Sequence, residues 1–197
     1  MIIYSKDMGE QWEEELIVDK EGEIRKIWIV CDDKIPKTMK LTVRLVGRKS
    51  RAEIVMPMVI KEDKQLTALI TVMHEAPETY ARVAVKAAIY AKGSLSLDGR
   101  LVIRKEAKGG DSYLLAKALL LSADAMAELK PYLEIATDDV KASHGASVGR
   151  LDEEQLFYLR SRGLEKEEAE RILLAGFFKK EVEELPINMK QKFFQYV

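Results

Sequence analysis

Few side chains in this sequence can hold a metal or act as a nucleophile. Cysteine occurs once, at Cys31, and histidine twice, at His74 and His144. A single cysteine excludes an internal disulfide, a zinc ribbon, a CxxC redox pair and a four-cysteine cage within one chain. Any metal held here needs carboxylates or a second subunit. His144 is the leading candidate for binding a metal. A neutral imidazole suits iron, and the following Gly145 permits close approach by another backbone or a ligand. The competing reading is a histidine hydrogen-bonded where the β part gives way to a helical tail. His74 precedes Glu75, a pair able to assist a metal, yet it stands far from His144 and equally suits a structural role. Cys31 follows the apolar Trp28, Ile29 and Val30, which favours a buried, inert thiol. Asp138 and Asp139 offer carboxylates, or turn and capping chemistry before a strand at Val140.

The elements that must position these residues fall into two parts. Glu14 to Asp19 and Ile24 to Cys31 read as two strands around a short turn. Met39 to Leu45 alternates, with Met39, Leu41, Val43 and Leu45 on one face and Lys40, Thr42 and Arg44 on the other. Apolar stretches recur at Ile54–Ile60, Leu66–Met73, Val83–Ala91 and Leu101–Arg104, punctuated by Gly93 and Asp98-Gly99. Short strands at this spacing with almost no helix between them predict a sandwich, a barrel or a solenoid. No strict residue-level repeat selects the solenoid. Tyr113–Leu129 is rich in Ala, Leu and Met, so propensity alone reads it as helix, and only burial would make it strand.

The tail is plainly helical. Asp152 can cap a helix with Gln155 three residues on, and Leu151 and Leu156 take the staple positions. That helix, Glu153 to about Arg162, stops at Gly163. A second begins near Glu165, with Ala169, Ile172, Leu173, Gly176 and Phe177 spaced as a buried stripe. After Pro186 a last helix aligns Met189, Phe193 and Val197. The expected division is a β part over 1–149 and a helical domain over 150–197.

Composition narrows the function. Lys plus Arg total 32 against 33 for Asp plus Glu, a net charge of -1, which argues against a nucleic-acid partner. No apolar run is long enough for a membrane span, and the start lacks a signal peptide's basic and apolar regions, so a cytoplasmic protein is expected. Asparagine occurs once, at Asn188, beside abundant Glu and Lys, a thermophile-like composition.

Three stretches are distinctive together: Pro131-Tyr132-Leu133-Glu134-Ile135, Asp138 to Gly149 (DDVKASHGASVG) and Leu151 to Gly163 (LDEEQLFYLRSRG). With His74 to Thr79 and Leu97 to Val102 upstream, they closely resemble the SufB/SufD family of SUF-system iron–sulfur cluster assembly subunits. The match runs from about Leu66 to Phe178. The resemblance implies a mainly β fold, a right-handed parallel β-helix core followed by a small C-terminal helical domain, and makes Tyr113–Leu129 strand. Family members usually carry a helical region before the β-helix, so this is a short form.

The resemblance also implies a non-enzymatic subunit, a scaffold or an adaptor for the SufC-type ABC ATPase, forming a homodimer or a heterodimer with a SufB/SufD paralogue. His144 then resembles an interface residue of SufD-like members implicated in cluster assembly. Ala142 stands where the family often has cysteine, so sulfur reception there is weakened. No cluster should be held stably by the isolated chain, although iron or a cluster can pass through a complex. The helical domain resembles the ATPase docking site, with Leu156, Phe157 and Phe177 as candidate anchors. From Arg150 to Glu184 it carries seven basic and ten acidic residues. The sequence has no GxxxxGK[ST] phosphate loop, GxSxG elbow or HExxH pair, so ATP hydrolysis belongs to a partner. Rival readings are a shortened homologue acting in regulation without cluster chemistry, and a β-helix carbohydrate-active enzyme.

Overall fold

The computed structural model describes residues 1–31 and 34–197. Its strands are β1 (Ile2–Tyr4), β2 (Gln11–Val18), β3 (Ile24–Val30), β4 (Thr38–Leu45), β5 (Arg51–Ile60), β6 (Gln65–His74), β7 (Tyr80–Ile89), β8 (Ser94–Ile103), β9 (Gly110–Leu120), β10 (Met126–Ile135) and β11 (Val140–Gly149). Helices α1 (Glu153–Ser161), α2 (Lys166–Val182) and α3 (Ile187–Tyr196) follow. No strand pairs with its neighbour in sequence. Odd-numbered strands form a 6-stranded sheet and even-numbered strands a 5-stranded one, with every pairing parallel. The chain therefore winds as a parallel β-helix. Arg51 lies opposite Tyr80 and Gln65 opposite Ser94, so the central coil advances 29 residues. The expected turn between Glu14 and Cys31 is a corner of this winding, with its two strands in opposite sheets.

Strand alternation fills the lumen. Met39, Leu41, Val43 and Leu45 are buried, and Leu41 stacks on Ile70 in the next coil. Burying each such side chain stabilises by roughly 1.5–3 kcal/mol. Tyr113–Leu129 is divided between β9 and β10, because Leu114, Ala116 and Ala118 enter this core and burial overrides helix propensity.

The corners carry a repeat that residue types conceal. Gly22, Lys49, Glu78 and Gly109 all adopt positive φ, at 67°, 59°, 58° and 72°. Each donates its N–H to the next coil, to Arg48, Pro77, Lys108 and Asp139 carbonyls respectively. The two non-glycine residues accept a strain of roughly 1–2 kcal/mol each for the left-handed turn. Arg48 and Lys49 pair with Glu78 across successive corners, which binds the coils electrostatically as well.

The tail packs on the outer face of the larger sheet. Val30, Val59 and Ala88 meet Leu174, Phe178, Val182, Leu185 and Phe193 in a second core. Asp152 caps α1 as the sequence predicts, accepting from Glu154 and Gln155 N–H at 2.9 and 3.1 Å. The stripe expected on α2 is corrected. Ala169, Leu174, Phe178, Glu181 and Val182 are buried, whereas Ile172 is 46% exposed. The true stripe was disguised by Glu181, an acid that is buried because Lys86 of β7 reaches it at 2.8 Å.

Candidate functional site

The two ends of the β-helix differ in chemistry. At the first coil, inward-facing positions include Glu14, opposite Leu41, and Arg25, opposite Ala52. Arg25 pairs with Glu23 at 2.6 Å. Inward-pointing charge at a sheet end resists pairing with another chain. At the last coil the inward positions are Ala127, Leu129, Pro131, Leu133 and Ile135 on β10, stacked on buried Leu95, Leu97, Leu101 and Ile103 through the register. On β11 they are Ala142, His144, Ala146 and Val148, stacked on Ser112, Leu114, Ala116 and Ala118. Nothing among the described residues covers this apolar layer, and no residue of β11 is buried.

His144 stands in the middle of that layer, exposed and without a hydrogen-bond partner among the described residues. Directly beneath it Leu114 is buried. A Cβ on Gly99 would lie 2.6 Å from Leu114 Cδ1, so glycine there lets Leu114 cross the lumen and seal it. The imidazole thus sits on a solid plug rather than at the mouth of a channel. Gly145 faces outward. A Cβ there would meet the Tyr113 hydroxyl at 3.3 Å, so the close approach it permits is by Tyr113. Among the described residues no three His, Cys, Asp or Glu side chains gather to hold a metal.

The other candidates are dispersed. Cys31 is fully buried in the lumen core, opposite Met58. His74 is fully buried at the end of β6. The Thr79 hydroxyl donates to the Ala76 carbonyl at 3.1 Å, so its oxygen accepts from His74 Nδ1–H at 2.8 Å. Nε2 then accepts from the Ser112 hydroxyl at 3.0 Å. Both ring nitrogens are committed, and burial pushes the imidazole down to about 4, so it is neutral at physiological pH. Glu75 turns outward to a two-pronged pair with Arg44 at 2.7 and 2.8 Å, which lowers its carboxyl below the usual range. The adjacent His74 and Glu75 therefore do not converge. Asp139 supplies its backbone carbonyl to Gly109.

The tail presents a separate surface. No residue of α1 is buried, and Phe157 is 75% and Tyr158 57% exposed. Tyr158, Leu159, Ile172 and Leu173 line a groove between α1 and α2. Leu156 is half-buried. Phe177 instead faces the β-helix, stacked edge-on against Phe178 and lying beneath the Lys86 ammonium. Tyr158 and Ile172 were not foreseen as surface residues. Ile172 was missed because Glu181 disguises the buried stripe of α2, and Tyr158 because nothing in the sequence shows that α1 buries no residue.

The family model described as SUF system FeS cluster assembly, SufBD core domain, matches residues 13–177. The chain is similar to an iron–sulfur cluster assembly SufBD family protein of Mycobacterium bovis, 32% identical over 152 residues, which is 77% of this chain and 18% of the relative. A SufBD family protein of Mycobacterium tuberculosis is 31% identical over 169 residues, 82% of this chain and 42% of the relative. The iron–sulfur cluster assembly protein SufD of Escherichia coli is 40% identical over 92 residues, 47% of this chain and 22% of the relative. The chain thus spans less than half the length of these relatives. No helix among the described residues is long and apolar enough to cross a membrane.

Proposed function

This chain belongs to the SufB/SufD family, and from that premise we propose that it is a non-enzymatic adaptor in iron–sulfur cluster assembly, docking a SufC-type ATPase through its helical tail. The observation that carries this reading is α1, a helix that buries none of its own residues and turns Phe157 and Tyr158 to solvent. A short helix keeps little stability without a packed apolar face. Exposed aromatics beside an apolar groove are the usual anchors of a protein interface. The last coil is where another SufB/SufD-type subunit mates, since its apolar layer is open whereas the first coil is guarded by charge. A cluster in this setting is cargo. His144 offers it one imidazole, Ala142 on the same face offers nothing, and a cluster generally takes four ligands.

Co-expression with a SufC-type ATPase tests the adaptor role. The wild-type chain should co-purify with the ATPase, and Phe157→Asp should abolish capture while leaving the circular dichroism unchanged. Capture that survives Phe157→Asp and Tyr158→Asp together would remove α1 from the interface.

A further inference from the structure

We infer that the first coil carries a docking edge for an extended basic segment of a partner protein, which adds to β2 as a further strand and follows the pattern apolar, basic, basic, basic, apolar. This edge belongs to the smaller sheet, whereas the tail packs on the larger one. The inference therefore goes beyond ATPase docking and does not depend on it.

Hydrogen-bond phase decides which groups are free. Among the described residues β2 ends its sheet. Thr38 N–H donates to the Glu10 carbonyl and Val46 N–H to that of Val18, so the even-numbered residues of β2 bond β4. Gln11, Glu13, Glu15 and Ile17 therefore turn their N–H and C=O groups to the open edge, and no proline interrupts the row. The sheet's other edge differs. On β10, Met126 N–H bonds Gly93 and Ala136 N–H bonds Ile103. Its odd-numbered residues face the edge, and the central one is Pro131, which has no N–H to give. Proline on a free edge interrupts strand addition. This sheet can grow only through β2.

Charge selects the occupant. Residues 7–19 hold six acidic residues and no basic one. Glu13 and Glu15 are exposed on the outer face and paired on one side only, with Lys40 at 2.6 Å and Arg44 at 3.5 Å, both from β4. Glu14 shares the inward face with Trp12 and Leu16, above Leu41, half-buried and without an ion-pair partner among the described residues. A carboxylate in that position costs stability, and a cation on the next strand offsets the cost. An added strand alternates as β2 does. Opposite Trp12 and Leu16 it sets apolar side chains that extend the lumen core, and opposite Glu13, Glu14 and Glu15 it sets Lys or Arg. The pattern reads the same in both directions, so it fits a parallel or an antiparallel strand. A second copy does not fit. Its β2 would bring the same acids, its β10 brings Pro131 with Glu128 and Glu134, and this sequence has no three consecutive basic residues. The charge at this end thus turns away further copies and admits a basic strand. In strand addition the main chain supplies affinity and alternate side chains supply specificity.

Fluorescence anisotropy on the full chain tests this, with a labelled, end-capped peptide Thr-Val-Lys-Arg-Lys-Val-Thr as the probe. The peptide should bind saturably with a Kd below about 1 mM, and more weakly as salt rises. Glu14→Gln should weaken binding about tenfold, with circular dichroism unchanged because the side chain has no partner to lose. Glu13→Gln and Glu15→Gln, at exposed positions, should each weaken it about threefold. Two N-methylated versions of the peptide, one for each alternate set of residues, separate pairing from simple charge attraction. Only one set can turn its N–H groups to β2, so one version should lose binding and the other should keep it. Equal binding by both versions would overturn strand addition. Wild-type affinity in Glu14→Gln, or no saturable binding of the unmodified peptide, would overturn the inference as a whole.

Discussion

Replacing Lys86 by methionine probes the joint between the tail and the β-helix. The Lys86 ammonium lies 2.8 Å from Glu181 Oε2, with side chains 14% and 4% exposed. It donates to the Phe177 carbonyl of α2 at 2.6 Å. Methionine keeps the length of the stem and its packing but strips the charge, leaving the Glu181 carboxylate buried without a counter-ion. Breaking a buried pair from one side costs about 3–5 kcal/mol, and the small residual exposure of Lys86 puts the loss near the lower figure. Lys86→Met combined with Glu181→Leu removes both charges, and stability should return to within about 1 kcal/mol of wild type, because apolar replacements of buried pairs are close to neutral. Urea unfolding followed by tryptophan fluorescence measures this directly, since Trp28 packs against the tail cluster. A loss under about 1 kcal/mol in the single variant would refute the argument. So would a double variant as unstable as the single, which would show that packing rather than charge holds the joint.

Two other outcomes follow from the buried histidine and the open coil. His74 is held at about 4 against an unfolded value of 6.5, so its stabilisation is complete above pH 6.5 and is lost as pH falls toward 4, by about 2 kcal/mol between pH 7 and pH 5. His74→Gln should be less stable at pH 7 but lack this part of the slope, and equal slopes in both proteins would contradict the burial argument. Anaerobic reconstitution of the isolated chain should give no stable cluster absorbance. In a complex with a cysteine-bearing SufB-type partner, His144→Ala should lower cluster yield without lowering the amount of complex; an unchanged yield would leave His144 no part in the chemistry.

Particular residues show why some of this architecture was readable in the sequence and some was not. The alternation of Met39 to Leu45 gave a lumen-facing strand, and Asp152 with Gly163 bracketed α1, because local chemistry determines both features. The winding itself was hidden. Lys49 and Glu78 do the work of Gly22 and Gly109, so the corner repeat lies in backbone conformation and coil-to-coil hydrogen bonds, which residue types do not spell out. The family resemblance supplied the β-helix where periodicity left a sandwich or barrel open. Buried charge misled in the tail, because Glu181 looks solvent-facing until Lys86 arrives from a strand distant in sequence. For the candidate site, His144 was visible as a rare imidazole beside glycine. The apolar layer around it, the sealing of the lumen by Leu114 over Gly99, and the edge position of Pro131 depend on register between coils.

The adaptor claim is tested most directly by amide hydrogen exchange on the chain alone and in complex with a SufC-type ATPase. The amides of Glu153–Ser161 in α1 should exchange rapidly in the free chain, because the helix buries none of its residues. On binding they should slow markedly, together with those near Ile172, while β4, β6 and β8 remain unchanged. Protection confined to the β-helix, with α1 exchanging as fast in the complex as alone, would contradict the account.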